Sequence, residues 1–410
     1  MPVRATKRGT DRTPLHGDFD VLVCGASFAG LAVARELRST GARVLVVDRY
    51  EIGERQTSAC AAPTEWLRNL GLEGSVRQTF GSLLVHTPRA EARWSLPWTF
   101  STFDYRELCR LLWAQRGAGT AFETAKVEGR AAPGDDGFAV RNASGTVASR
   151  GTPPGLAFGA APVDVTTDRG TLRAPLVVDA LGWRRVLGPG TNVQPPNARL
   201  SRGLEVHPHG RGDDLELWID KRVIRAGYGW SFPARDELRV GVGSFDPDDH
   251  VKEPTVALAE ELDLPAERYQ GNWIPHRIRP ATEGGVFFVG DSAGHCLPVT
   301  AEGIRTALYF GIALGRELRA VVEGRRTREE ALARYGAFSA AHRWKFETML
   351  QVQHLVPRLS PAALGAVTRS LGRPGLSHWA FRHYLNIAPP SFALPAPPEV
   401  TAAPALAAAA

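Results

Sequence analysis

Asp20-Val-Leu-Val-Cys-Gly25-Ala-Ser-Phe-Ala-Gly30 decides the reading of the chain. Val21–Cys24 is apolar without alternation, as expected of a strand buried on both faces. It runs directly into a glycine turn and a helix that continues through Leu37, with Gly41 closing it. Val44–Val47 forms the next strand, ending on Asp48, eighteen positions after Gly30. Gly25 permits the tight turn, and Gly30 lets helix pack on strand. The helix N-terminus carries partial positive charge where a pyrophosphate sits, and Asp48 is placed to accept hydrogen bonds from ribose hydroxyls. Ser27 stands at the middle-glycine position; it is small, and its hydroxyl can donate to a phosphate oxygen. An ordinary glycine turn in a βαβ unit would share this outline without binding anything.

Outward from this unit, 410 residues with 43% hydrophobic and 22% charged residues suit a globular chain of two or three domains. The net charge of +6 comes mostly from dispersed arginine, with no basic stripe interleaved with aromatics. This argues against nucleic-acid binding and leaves attraction to an anionic membrane surface open. Cys24, Cys60, Cys109 and Cys296 form neither a CxxC pair nor a zinc spacing, which fits a reduced, cytoplasmic protein and no metal site. The polar residues 1–17 lack the apolar core of a secretory signal and are expected to form a flexible arm.

A second segment, Gly284–Ile304 (GGVFFVGDSAGHCLPVTAEGI), delivers Gly290-Asp291 from an apolar strand into a loop and then a helix from about Ala301. It resembles the GD motif of FAD-dependent hydroxylases and reductases. That resemblance implies an aspartate on the ribityl chain of non-covalently bound FAD and a helix N-terminus at the flavin pyrimidine edge, where it stabilises negative charge. Pro175–Gly182 is similar to the strand and DxxG turn of the same superfamily, and Phe103-Asp104-Tyr105-Arg106 to its arginine-bearing helix start. The implied cofactor contacts are Gly25, Ser27, Phe28, Ala29, Gly30, Asp48, Arg49, Arg106, Val127, Asp179, Gly182, Gly290, Asp291, Pro298, Gly303 and Ile304. Asp179 and Arg106 also fit a turn cap and a surface residue.

Gly227-Tyr-Gly-Trp-Ser-Phe-Pro233, followed by Val240-Gly-Val-Gly243, resembles the Y-x-W-x-F-P and V-G-x-G pattern of the geranylgeranyl reductase family. Thr300–Ile304 and the position of Cys60 agree with that family, and the likeness covers most of residues 18–335. Its cysteine is usually followed by glycine and an acid; here Ala61-Ala62-Pro63 follows. The resemblance implies reduction of isolated prenyl double bonds, with electrons from NAD(P)H or a ferredoxin partner. Cys60, His295 and Glu302 are the candidate catalytic residues. Tyr228, Trp230 and Phe232 alternate on one strand face and form a candidate substrate wall, although core packing or a buried structural thiol would use the same residue types. A flavin monooxygenase acting on an aromatic or polyene, a non-redox carotenoid cyclase, and a flavin-stabilised scaffold are the competing readings.

The expected architecture is α/β: a Rossmann-like FAD-binding domain with an inserted antiparallel substrate sheet and a C-terminal helical region. Its segments are FAD-binding residues 18–81, 101–194 and 275–335, sheet residues 82–100 and 195–274, helices over 336–390, and a disordered tail over 391–410. A Gly/Ala/Pro-rich insertion interrupts it at 128–162.

Overall fold

The computed structural model describes residues 13–56, 58–131, 161–188, 200–275 and 277–395. At its centre is a six-stranded sheet in the order Thr282–Glu283, Val286–Phe288, Leu176–Asp179, Val21–Cys24, Val44–Asp48, Thr120–Thr124. All pairs are parallel except the terminal hairpin Thr282–Glu283/Val286–Phe288. Val21–Cys24 is fully buried, as are Leu176–Asp179 and Val44–Val47 beside it, which explains the unalternating apolar runs.

The helix Phe28–Glu36 lies against the long helix Ile304–Val322. Two glycines set their separation. A Cβ on Gly311 would come 2.8 Å from the Ala29 carbonyl oxygen, and one on Gly315 would come 2.5 Å from Glu36 Cβ. The two fingerprints also touch directly, since a Cβ on Gly290 would meet the Ala29 methyl at 3.2 Å.

A four-stranded sheet joins Gly17–Asp18, Gly170–Ala174, Val163–Thr167 and Val127–Arg130. The end of the expected N-terminal arm is therefore docked as an edge strand, with the Leu15 amide donating to the Arg169 carbonyl oxygen. The apolar stretch before the DxxG turn is two strands in two sheets, Gly170–Ala174 and Leu176–Asp179. Pro175, which has no N–H for a ladder, stands at the transfer point. The insertion of 128–162 lies, beyond the hairpin strands at its two ends, outside the described residues.

The eight-stranded sheet runs Gln270–Pro275, Leu200–Val206, Glu237–Ser244, Gly227–Ala234, Leu215–Trp218, Val76–Thr87, Ala90–Phe103, Ala61–Pro63. Every pair is antiparallel except Leu215–Trp218 with Val76–Thr87. The strands around 82–100 are longer than expected, and Phe80 pairs with Phe100 while Ser82 pairs with Ser95. Residues 96–99 bulge out between these pairs, and Pro97, lacking an amide donor, falls within the bulge. A helix that the sequence pattern did not suggest, Lys252–Glu261, covers the outer face through Leu258 and Ala259 against Val206, Val240 and Val242. The inner face is left to the cleft.

Helices Arg328–Ala340, Arg343–Leu355, Pro361–Leu371 and Pro374–Leu385 close the C-terminal side. Residues 391–395 of the expected disordered tail are part of the fold, and the rest of it lies outside the described residues. Pro390–Ala393 forms a buried turn, Phe392 packs against Tyr309 at 4.3 Å, and Arg316 donates to the Phe392 carbonyl oxygen. Among the described residues no helix is long and apolar enough to cross a membrane.

Candidate FAD site and substrate cleft

The carboxyl end of the parallel sheet opens into a cleft of about 1210 Å³. Ligand sites form at this edge because helix N-termini and strand carboxyl ends converge there. Gly25 has φ +114°, and a Cβ there would lie 2.3 Å from the Ala180 carbonyl oxygen; one on Gly30 would lie 1.9 Å from the Gly25 carbonyl oxygen. Both glycines are therefore obligatory supports behind the wall, whereas Ala26, Ser27, Phe28 and Ala29 line it. No side chain caps the first turn, so its amides remain available to a phosphate. Tyr105, which sequence reading did not single out, reaches the Ser27 hydroxyl at 3.2 Å and also lines the cleft.

Asp48 has a double role. Its carboxylate accepts from the Ala26 amide at 2.8 Å and the Tyr50 amide at 3.1 Å, pinning the glycine turn to the second strand. It still lines the cleft beside Arg49 and Val127, with acceptor capacity left for a ribose. Burial raises its pKa against those amide bonds.

Asp291 contrasts with Asp179. Asp179 is fully buried and accepts from the Leu181 amide (3.0 Å), the Leu187 amide (2.8 Å) and the Ser292 hydroxyl (2.6 Å). It bolts the DxxG turn to the GD turn and does not line the cleft. Asp291 does line it, and among the described residues no hydrogen bond reaches its carboxylate. Burial pushes it up to about 6, with Arg279 pulling the other way. Arg279 donates instead to the backbone carbonyl oxygens of Asp291 and Trp183, which fixes the turn. An acceptor surrounded by protein and open only to the cleft fits a hydroxyl-bearing ribityl chain. Gly303 and Ile304, at the uncapped start of the long helix, stand beside it. The residues present thus fit FAD.

Of the other expected contacts, Gly182 (φ +86°) and Gly290 (φ +66°) line the cleft. Pro298 is buried off the wall. Arg106 is exposed and lines a neighbouring polar cavity of about 610 Å³, where its backbone crowds Gly53.

The loop between Pro298 and the helix is strained. Val299 (φ 68°) and Ala301 (φ 51°) occupy the left-handed region, which a β-branched residue rarely adopts. Neighbours hold it there: Gln353 accepts from the Val299 amide at 2.8 Å, Tyr228 donates to the Thr300 carbonyl oxygen at 2.8 Å, and the Tyr384 and Thr300 hydroxyls lie 2.8 Å apart.

Tyr228, Trp230 and Phe232 all face the cleft. Trp230 lies across a glycine floor: Cβ atoms on Gly241, Gly243 and Gly203 would meet its indole at 2.3, 3.4 and 3.8 Å. The V-G-V-G pattern therefore makes room for the indole, while Val240 and Val242 point to the opposite face. Trp94, Leu96 and Phe100, presented by the bulged strand, extend the apolar wall, and Val352, Val367 and Phe381 close it from the C-terminal helices.

The three catalytic candidates part company. Cys60 lines the cleft, is held at φ 53°, and donates to the Ser58 carbonyl oxygen at 3.1 Å; burial pushes its thiol up, so it stays protonated at neutral pH. Glu302 also lines the cleft, but Arg305 occupies both its oxygens at 2.7 and 2.8 Å and the Tyr384 hydroxyl donates to it as well. His295 is neither an exposed loop residue nor part of the cleft. It is fully buried, stacked on Phe310 at 3.7 Å and bonded to the Ser339 hydroxyl at 2.9 Å, and burial lowers its pKa. The local sequence carried no sign that the chain turns this side chain into the helical layer.

No family profile matches the chain. It is 22% identical over 409 residues to digeranylgeranylglycerophospholipid reductase 3 of Methanosphaera stadtmanae, covering 90% of this chain and 95% of that one. A shorter match, 26% over 159 residues, is to the digeranylgeranylglycerophospholipid reductase of Methanococcus vannielii and spans 36% of this chain and 41% of the relative. Among solved structures, a geranylgeranyl bacteriochlorophyll reductase-like protein from Thermoplasma acidophilum superposes with a TM-score of 0.73 at 16% identity, covering 92% and 98% of the two chains. A probable FAD-dependent monooxygenase from Pseudomonas aeruginosa gives 0.62 at 18%, covering 86% and 100%.

Fold and site together define an FAD-dependent oxidoreductase of the class with paired glycine-turn and GD fingerprints. Within that class the chain is similar in sequence to digeranylgeranylglycerophospholipid reductases and in fold to a geranylgeranyl bacteriochlorophyll reductase-like protein.

Proposed function

We propose that the protein reduces isolated double bonds in a prenyl chain. The observation that carries this reading is the continuous apolar wall from Trp94 and Phe100 through Phe232, Trp230 and Tyr228 to the GD loop, on the same cleft as the cofactor residues. A long, flat, apolar chain is what such a wall excludes water around. Bound FAD, once reduced, supplies hydride. The chain's own residues then have three tasks. Asp291 and the two helix N-termini orient the cofactor. The aromatic wall aligns the double bond and keeps water out. A cleft residue holds a proton for the second carbon, and the Cys60 thiol is one group placed to do so.

The fold also suits monooxygenation, but the likeness that extends to sequence over 90% of this chain is to a reductase, which supports the reductase reading. Electrons are taken to come from a nicotinamide that docks transiently or from a ferredoxin-like partner. Mass analysis of products after anaerobic incubation of the reduced enzyme with geranylgeranyl lipids tests the reading. Gain of two hydrogens per double bond is expected; products gaining an oxygen atom in air, or a rearranged ring without redox change, would replace it.

We further propose peripheral contact with an anionic lipid surface through the C-terminal helices. Trp344, Leu355, Leu376 and Trp379 are 65%, 53%, 41% and 62% exposed, and Val352 and Val367 are both exposed and on the cleft wall. Arg343, Arg358, Arg369, Arg373 and Arg382 are exposed on the same helices. Apolar anchors amid cationic residues at a cleft mouth suit extraction of a lipid from a membrane.

A further inference from the structure

The inner face of the eight-stranded sheet changes character along its length. Gly203, Glu205 and His207 alternate along one stretch, and the pairing Glu205↔Gly241 sets Gly243, Gly241, Arg239 and Glu237 beside them on the same face. Trp230↔Gly241 and Phe232↔Arg239 place the aromatics on this face too. The aromatic wall therefore grades into a buried row of ionisable groups, while the opposite face is Val206, Val240 and Val242.

That row is linked end to end by hydrogen bonds and ion pairs. Glu205 Oε2 accepts from Trp230 Nε1 at 3.3 Å, and Glu205 Oε1 lies 2.9 Å from His207 Nε2. His207 Nδ1 faces Glu237 Oε1 at 3.4 Å and Gln270 Nε2 at 3.4 Å. Glu237 is paired with Arg239 at 3.0 Å and Arg268 at 3.5 Å. Glu205 and His207 are 3% and 2% exposed, a costly burial that packing does not require. The two ends differ in surroundings. Glu205 lies on the wall of the apolar cleft; Glu237 lies on the wall of the second, polar cavity with His209, Asp236 and Arg268.

We infer that Glu205, His207 and Glu237 form a proton path from the polar cavity to the apolar cleft, with Glu205 delivering the proton that saturation of a double bond requires. This rests on the reductase reading. The alkene takes a hydride from the reduced cofactor on one carbon and the Glu205 proton on the other. The π bond is lost, two C–H bonds form, and the cofactor is left oxidised by two electrons. His207, doubly protonated at rest, passes its Nε2 proton to the Glu205 carboxylate as the alkene draws one from it; the imidazole left with hydrogen on Nδ1 is held by the Glu237 carboxylate, and its bare Nε2 is reprotonated from the water of the polar cavity.

The ionisable groups facing His207 are Glu205 on its own strand and Glu237 on the next, with Arg239 and Arg268 one step beyond. Burial opposes its charge, but the Glu205 and Glu237 carboxylates outweigh this and hold it up at about 9. It therefore carries a proton at neutral pH, ready to pass on. The Arg239 guanidinium also donates to the Ala59 and Cys60 carbonyl oxygens, which ties the row to the candidate thiol's backbone.

The test compares wild type, E205Q and H207N as FAD-bound proteins. Each is reduced anaerobically and mixed with a geranylgeranyl lipid, and flavin reoxidation is followed against pH. Wild type should lose rate as pH rises through about 9. E205Q should slow by on the order of 10²-fold, with E205D partly restoring the rate. H207N should slow and lose the limb near that pH. Independently of turnover, NMR of the oxidised proteins should show the His207 imidazole titrating lower in E205Q than in wild type. An E205Q protein with the wild-type rate and profile, an H207N profile still falling through the same pH, or an unmoved imidazole in E205Q overturns the path and leaves the reductase reading standing. Wild type that fails to reoxidise with the lipid at any pH overturns both.

Discussion

Asp179 and Asp291 end neighbouring segments of the same sheet edge, yet they should respond oppositely to substitution. Asp179→Ala strands the Leu181 and Leu187 amides in a fully buried site and leaves the Ser292 hydroxyl only its bond to the Gly182 carbonyl oxygen. With about 1–3 kcal/mol for each unsatisfied group, the variant should lose several kcal/mol of stability. Asp291 has nothing of this kind to lose. Its folded pKa of about 6 lies above the unfolded carboxylate value, so its ionised form weakens the apoprotein above that pH, and the penalty fades as pH falls through about 6. Asp291→Asn should therefore raise the melting temperature of the apoprotein at neutral and alkaline pH but not in mild acid, while weakening FAD by roughly 10-fold or more. Calorimetry and flavin fluorescence titration check both; an apoprotein destabilised by Asp291→Asn would contradict the account. Trp230 is half-buried on a cleft face, not enclosed in a core. Trp230→Ala should keep FAD and melt close to wild type while substrate-dependent flavin reoxidation slows. A loss of about 3–5 kcal/mol, the cost expected for a core tryptophan, with turnover per folded molecule unchanged would instead make it structural.

The two long helices of the fingerprints depend on Gly311 and Gly315 for their approach. A branched side chain at Gly311 would drive into the Ala29 backbone, part of the cofactor turn. Gly311→Val should cost about 1–3 kcal/mol, as overpacking does, and should lower FAD affinity together with melting temperature; full FAD affinity in that variant would show that the helix does not support the turn. This contact illustrates where the sequence could and could not be read. Gly25, Gly30 and Asp48 were legible because local backbone requirements dictate them. Gly311 was not, because its need arises from a helix nearly three hundred residues away. Tyr228, Trp230 and Phe232 were legible through alternation, and Val240–Gly243 completed the pattern. The row Glu205, His207 and Glu237 was hidden, since only the strand pairing brings it together. Pro175 shows the same limit: only the division of its stretch between two sheets makes it a boundary. His295 failed for a related reason, because the GD loop turns it into the helical layer, and nothing local encodes that direction.

At the scale of the molecule, the cleft lies between the cofactor sheet, the aromatic face and the C-terminal helices; exposed Val352 and Val367 of those helices line it, and the same C-terminal region exposes Trp344, Leu355 and Trp379 together with several arginines. Vesicles containing anionic lipid should carry the protein in flotation, neutral vesicles should carry it less, and Trp344→Ala with Trp379→Ala should weaken recovery without changing FAD content. Equal recovery on neutral and anionic vesicles would remove the electrostatic part of that proposal. The central claim is that an apolar alkene, not oxygen, is the acceptor for electrons held on this cleft. Its most direct test is the absorbance of the reduced, FAD-bound protein mixed with a geranylgeranyl lipid in the strict absence of oxygen. The account predicts that the lipid alone returns the flavin to its oxidised spectrum. A spectrum that stays reduced with the lipid and recovers only when air is admitted would contradict it.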